Sequence, residues 1–177
     1  LLTPTTSTPR AAHVFQADAA IVVGDAGLVM VLDAGAFRVL PFPTRDDLVG
    51  VWGVAMNDLY AAGGTKVFHF DGSAWQTVHE DPARTMTDIT GTGARDVRVV
   101  ASSSDEGFIL TFDGARWTPS SPWASPLVRA FAAGAKTYAT TVSGDVMRLE
   151  PASDTWTNDV PWSGFPMTDA AGTGTDM

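Results

Sequence analysis

The apolar positions of this chain fall in short runs such as LVMVL (28–32), KVFHF (66–70) and FILTF (108–112), each closed by a cluster of Gly, Asp or Ser. Segments this short and this rich in Val, Ile, Phe and Thr suit β-strands. Nowhere does an apolar spacing of 3.6 residues run on long enough to specify a helix. The pattern predicts an all-β protein.

The runs repeat. The aromatic that follows an Asp turn recurs as Phe37, Trp75, Trp117 and Trp156, at separations of 38, 42 and 39 residues. The start of an apolar segment recurs as Ala11, Leu48, Met86, Leu127 and Met167, at separations of 37, 38, 41 and 40. Two anchors drifting together through one period mark a repeat. Each unit reads as four strands. The first is LVGVWGV (48–54), matched at 86–92, 127–133 and 167–173. The second is DLYAAG (58–63), matched at 20–24, 96–102 and 136–142. The third is KVFHF (66–70), matched at 28–32, 108–112 and 145–149, and the fourth begins at the aromatic anchor.

Turn chemistry follows the same period. GDAG, AGGT, SSSDEG and VSGD stand between strands two and three, where a hairpin calls for positive φ. Between strands three and four, Asp33, Asp71 and Asp113 each precede the aromatic by four residues. An Asp there hydrogen-bonds the turn backbone, while Gly72 and Gly114 take conformations closed to other residues. The last unit departs from this: EPASDTW (150–156) has no Gly, and its Asp154 lies two residues before Trp156. Ten of the eleven prolines fall in the connections between units, as expected of a residue that cannot donate to a sheet ladder.

Four-stranded antiparallel units of about 40 residues are the signature of a β-propeller. The residues LVGVWGV…NDLYAAGG…VFHFDGSAW resemble bacterial propeller repeats of the broad Kelch, Asp-box and tectonin-like type, over essentially all of 11–177. That resemblance implies an architecture found in many exported proteins, and so an extracellular, periplasmic or cell-surface location. The Asp-box pattern is followed with two departures: Asp71 and Asp113 stand four residues before Trp instead of five, and the leading Ser is missing. The expected blades are 11–47, 48–85, 86–126 and 127–166, with 1–10 ending a preceding blade and 167–177 starting a further one. The ring is thus expected to be incomplete and the chain part of a longer protein, with open blade edges through which it self-associates.

Composition narrows the partners. The formal net charge is −9 and only two residues are Lys, so a phosphate backbone would be repelled and nucleic acid is not an expected partner. There is no cysteine for a disulfide framework, zinc ribbon or thiol chemistry. No apolar run approaches the roughly 18 residues of a membrane-spanning helix. Gly-x-Ser-x-Gly, His-Glu-x-x-His and Walker signatures are missing. No cofactor or metal is expected, since Asp105 and Glu106 alone supply too few oxygens for calcium.

Two groups of residues are candidates for contact with a ligand. Strand one lines the axial channel of a propeller, and its third position reads His13, Gly50, Asp88, Arg129 and Asp169, a polar column. The connections between units and the second hairpins carry Arg45, His79, Arg84, Asp105, Trp123 and Trp162. Phe42, Trp123 and Trp162 follow their blade aromatic by five or six residues, and act either as a stacking platform or as wedges between blades. Repetition marks structural duty and divergence leaves room for recognition, so the varied connections form the expected binding face. The expected function is a non-catalytic scaffold that binds a protein or carbohydrate partner. The alternative is a glycan-processing hydrolase or lyase whose catalytic residues lie largely outside this segment.

Overall fold

The computed structural model describes residues 7–133, 136–150, 153 and 155–160. These residues form sixteen strands in four antiparallel sheets of four, and within every sheet the spatial order is the chain order. The first sheet holds β1 (Pro9–Gln16), β2 (Ala19–Gly24), β3 (Leu28–Asp33) and β4 (Ala36–Val39). The second holds β5 (Gly50–Ala55), β6 (Asp58–Gly63), β7 (Lys66–Phe70) and β8 (Trp75–Glu80). β9 (Thr85–Gly93), β10 (Asp96–Ser102), β11 (Gly107–Phe112) and β12 (Trp117–Pro119) make the third. β13 (Leu127–Ala133), β14 (Lys136–Thr141), β15 (Val146–Glu150) and β16 (Thr155–Val160) make the fourth. The only helical element among the described residues is a three-residue 3-10 turn at Asp25–Gly27. The sheets group in pairs into two compact units, Leu1–Pro82 and Ala83–Met177.

The aromatic anchors occupy one rung of the repeat. Phe37, Trp75, Trp117 and Trp156 lie opposite Leu32, Phe70, Phe112 and Leu149, and those four lie opposite Ala20, Leu59, Val97 and Thr137 of the second strands. Trp75 and Trp117 rest on their Phe partners with ring centroids 5.3 and 5.1 Å apart. β1, β9 and β13 each carry a bulge near their start, whereas the irregularity of β5 lies near its end, and the resulting register corrects one sequence assignment. Ala11, Gly50, Asp88 and Arg129 pair with Val23, Ala62, Val100 and Thr140 and so share a rung. His13 sits two residues further on, opposite Ile21, at the rung of Trp52, Thr90 and Phe131. β1 begins at Pro9, so the anchor of the first unit lies two residues before Ala11.

The turns show what the glycines are for. Gly72 and Gly114 have φ of 91° and 93°, as the Asp-Gly turns require. In the first sheet the equivalent turn has both Ala34 (φ 49°) and Gly35 (φ 79°) left-handed, the two-residue primed form that suits strand twist. Gly107, by contrast, is not left-handed. A side chain there would meet backbone, with a Cβ 2.7 Å from the Leu127 nitrogen and 2.7 Å from the Ser125 carbonyl oxygen. Close approach, and not positive φ, fixes that glycine.

The Asp71 carboxylate accepts the Ser73 hydroxyl (2.7 Å) and the Ser73 and Ala74 backbone N–H groups, both at 2.9 Å. These donors hold its carboxyl down at about 2, the Ser73 hydroxyl having the largest effect. Asp113 repeats the arrangement with the Arg116 and Ala115 N–H groups, and is likewise lowered. A carboxyl depressed on folding contributes stability above its ordinary pKa near 4 and loses it as pH falls through the folded value. Acid titration should therefore show stability declining between about pH 4 and pH 2, with Asp71→Asn flattening that decline. A carbon-detected NMR titration placing the Asp71 midpoint near 4 would contradict the turn geometry.

Burial concentrates on the second and third strands. In unit Leu1–Pro82, Ile21, Val23, Val29 and Val31 pack with Leu48, Val51, Leu59, Ala61, Phe68 and Trp75. In unit Ala83–Met177, Val100 and Ile109 pack with Leu127, Ala130 and Ala139, and Trp123 and Trp156 close over them. Each described connection is pinned by backbone hydrogen bonds to the start of a third strand. Gly27 N–H donates to Asp46 (3.0 Å), Asp81 N–H to Thr65 (2.9 Å), and Gly107 and Trp123 exchange a pair at 2.9 and 2.8 Å. Irregular backbone thus gains the partners that a sheet would otherwise supply.

Candidate functional site

The strand-one column separates on inspection of its partners. Asp88 accepts the Ala130 backbone N–H at 2.9 Å, and Arg129 donates to the Thr87 carbonyl at 3.0 Å. The two charges join β9 to β13 within their unit, which is a structural use of both. His13 lies edge-on to Phe15, with centroids 4.7 Å apart, and burial holds its imidazole below the ordinary value against a raising hydrogen bond that the ring donates to the Gly53 backbone. Asp169 lies outside the described residues, as does Trp162.

Of the connection residues, three gather around one hairpin. The Arg84 guanidinium lies 3.9 Å over the Phe108 ring, a cation–π contact at the start of β11. Trp123 joins the same strand through its bridge to Gly107 and packs half-buried on the Leu127 cluster. Asp105 stands exposed at the hairpin tip, where its carboxylate accepts the Ser104 hydroxyl at 2.9 Å. Arg45 and His79 belong to the other unit. Arg45 is exposed on the connection after β4, and His79 is half-buried on β8 opposite Val67. Phe42 meets Phe68 and Trp75 edge-on at 4.9 and 5.3 Å, so it packs inward as Trp123 does.

Two features escape a sequence reading. His69 is paired: its Nε2 lies 2.8 Å from Asp58 Oδ1, and its ring stacks on Tyr60 at 4.4 Å. Antiparallel register across the β6–β7 hairpin is the signal that places Tyr60 opposite His69, with Asp58 two residues away. The second feature is a cavity of about 390 Å³ in unit Leu1–Pro82. The connection contributes Leu40, Pro41, Phe42 and Pro43, and the β7–β8 turn contributes Phe70, Ser73, Ala74 and Trp75. Nothing in one sequence joins residues some thirty positions apart into a wall.

Four-stranded antiparallel sheets repeating at this period make a β-propeller fold. The chain is similar to YCF48 from Cyanidioschyzon merolae, with 17% identity and a TM-score of 0.65 over 89% of this chain and 57% of that one. It is similar to a chain of a nidogen/laminin complex (15% identity, TM-score 0.64, 85% of this chain and 62% of that one). It is also similar to the computationally designed Ika4 protein (12% identity, TM-score 0.63, 84% of this chain and 94% of that one). At these identities the likeness establishes the fold, and the chain spans less than two thirds of the first two structures. No protein-family model and no curated protein sequence matches it.

Proposed function

We propose that this chain is a non-catalytic binding module of an exported bacterial protein, displaying its divergent connections to a protein partner. The observation that carries this reading is the backbone pinning of each described connection to the start of a third strand. Loops of unlike sequence are thereby held in one frame, which lowers the ordering cost that binding must overcome. The proposed contact surface is the neighbourhood of the β10–β11 hairpin: Arg84 over Phe108, exposed Asp105 and the half-buried edge of Trp123. Trp and Arg held by packing are the residue types that dominate protein interfaces. A sugar platform needs an open ring face, and Trp123 gives most of its surface to the core. The nidogen/laminin complex, similar in fold, is an assembly of two proteins, which supports a protein partner over a glycan.

Peptide and glycan arrays probed with the whole chain test this. Peptide ligands are expected, and the double variant Arg84→Ala, Asp105→Asn should weaken them by about tenfold or more, as for an interface centre. Its urea midpoint should fall by no more than the worth of the Arg84–Phe108 contact, about 1 kcal/mol, because Arg84 is half-buried and Asp105 exposed. Binding confined to glycans, or peptide binding indifferent to both substitutions, refutes the proposal.

A further inference from the structure

The two inner strands of the first sheet are apolar on both faces. An antiparallel sheet with one face in water alternates apolar and polar residues, whereas β2 and β3 run AAIVVG and LVMVL. On one face, Ile21, Val23, Val29 and Val31 are buried and pack with residues of the second sheet. On the other, the rung Val14–Ala20–Leu32–Phe37 crosses all four strands, and the next rung, from Ala12 through Val22 and Met30 to Val39, is apolar throughout. Yet Val14 is 65% exposed, Val39 51% and Phe37 48%. The other large apolar side chains exposed among the described residues, Val54, Val78 and Val142, fall on β5, β8 and the loop after β14. Single exposed apolar residues are ordinary, but a whole face of them marks an interaction site.

The repeat shows what covers such a face. In the second sheet the positions equivalent to Ala20, Val22, Met30 and Phe37 are Leu59, Ala61, Phe68 and Trp75. All four are buried, in one cluster with Ile21, Val23, Val29 and Val31 of the first sheet. In the fourth sheet Ala139 and Trp156 stand where Val22 and Phe37 do, and they pack with Val100 and Ile109 of the third. In each compact unit the cover is therefore the apolar face of another four-stranded sheet. The exposed face of β1 to β4 has the same rungs and the same chemistry, so it calls for the same kind of cover.

We infer that the exposed face of the first sheet is a self-association surface, covered by the same face of a second copy of this chain about a two-fold axis. Every copy carries the face, and it is complementary to itself because neither rung holds a charged or polar side chain. A partner bearing charges there would lose their hydration and gain nothing in return. Two such sheets stack about 10 Å apart, as in a β-sandwich. Two rungs are a small area beside the roughly 800 Å² per partner of a standard interface, so the association is weak and reversible. The face shares no residue with the β10–β11 surface, so the two readings stand or fall separately.

Sedimentation equilibrium of the whole chain, from micromolar to millimolar concentration, tests this. The weight-average mass should rise from the 18.6 kDa of one chain toward twice that value. Added sodium chloride should not reverse the rise, because each chain carries a net charge of −9 and salt screens the repulsion between copies. Association through ion pairs would weaken instead. Val14→Lys, at a position open enough to leave the monomer folded, sets an ammonium against apolar side chains and should weaken association about tenfold or more. Met30→Lys lies on an inner strand and, if circular dichroism shows it folded, should do the same, whereas backbone pairing at the β1 or β4 edge would ignore it. If Met30→Lys fails to fold, Val14→Lys alone decides. A mass fixed at that of one chain up to millimolar concentration overturns the inference. So does association that salt dissolves, or that either folded variant leaves intact.

Discussion

Phe68→Ala should lower the stability of the chain by about 3–5 kcal/mol, the range for deleting a fully enclosed Phe. The ring has no exposed surface and sits in the cluster built by Ile21, Val23, Val29, Val31, Leu48 and Leu59. Phe42 also meets it edge-on, so its loss removes the floor on which the connection between the first two sheets rests. Packed sheets cannot collapse fully into such a void, and the cavity cost adds to the lost burial. The shift in urea midpoint, followed by Trp fluorescence, reads the effect. A change under about 1 kcal/mol, as for an ordinary surface substitution, would mean that Phe68 does not form this core.

Gly27→Ala should cost about 2–4 kcal/mol, combining a left-handed backbone with a steric clash. Gly27 has φ of 71°, and a Cβ placed there lies 2.3 Å from the Thr44 carbonyl oxygen. Neither atom belongs to a flexible side chain, so the hairpin or the connection must move, and with it the Gly27–Asp46 hydrogen bond. Gly35 supplies the control. Its φ is 79°, yet a Cβ there meets nothing within 4 Å, so Gly35→Ala should carry only the conformational cost of about 1–2 kcal/mol. Equal losses for the two variants, by urea denaturation, would show that the connection is not pressed against the second hairpin.

Much of the architecture is legible in the sequence because the punctuation is chemical. β6, β7, β10 and β13 coincide residue for residue with runs bounded by Gly, Asp or Pro. Phe37, Trp75 and Trp117 share one rung because the Asp turn sets how far the chain travels between strands three and four, while Trp156 reaches the same rung across a connection two residues longer. The phase of β1 is less legible. No residue of that strand is fully buried, so its apolar pattern does not fix a register, and the bulge adds a residue that no composition reveals. His13 consequently falls off the rung of Gly50, Asp88 and Arg129.

The candidate sites were legible only in part, for a related reason. Trp123 and Arg84 are nameable as aromatic and basic residues of variable connections, but their fixing to Gly107 and Phe108 depends on chain-distant backbone. Asp88 and Arg129 read as free polar groups, whereas both are hydrogen-bonded to the neighbouring strand's backbone. The cavity beside Trp75 arises where a proline-bearing connection crosses a hairpin, and a linear pattern carries no trace of that crossing.

Four equivalent units each bury their second and third strands, and the connections that follow the first three carry exposed residues. Amide hydrogen exchange measured residue by residue on the native chain tests it most directly, since protection reports local opening. The slowest amides should occur in all four sheets, among them Ile21, Val23, Leu59, Ala61, Val97, Val99 and Ala139, all fully buried. Arg45 and Asp105, on exposed connections, should exchange far faster. Protection confined to one sheet, or slow exchange in the connections alongside fast exchange in β2, β6, β10 and β14, would contradict the account.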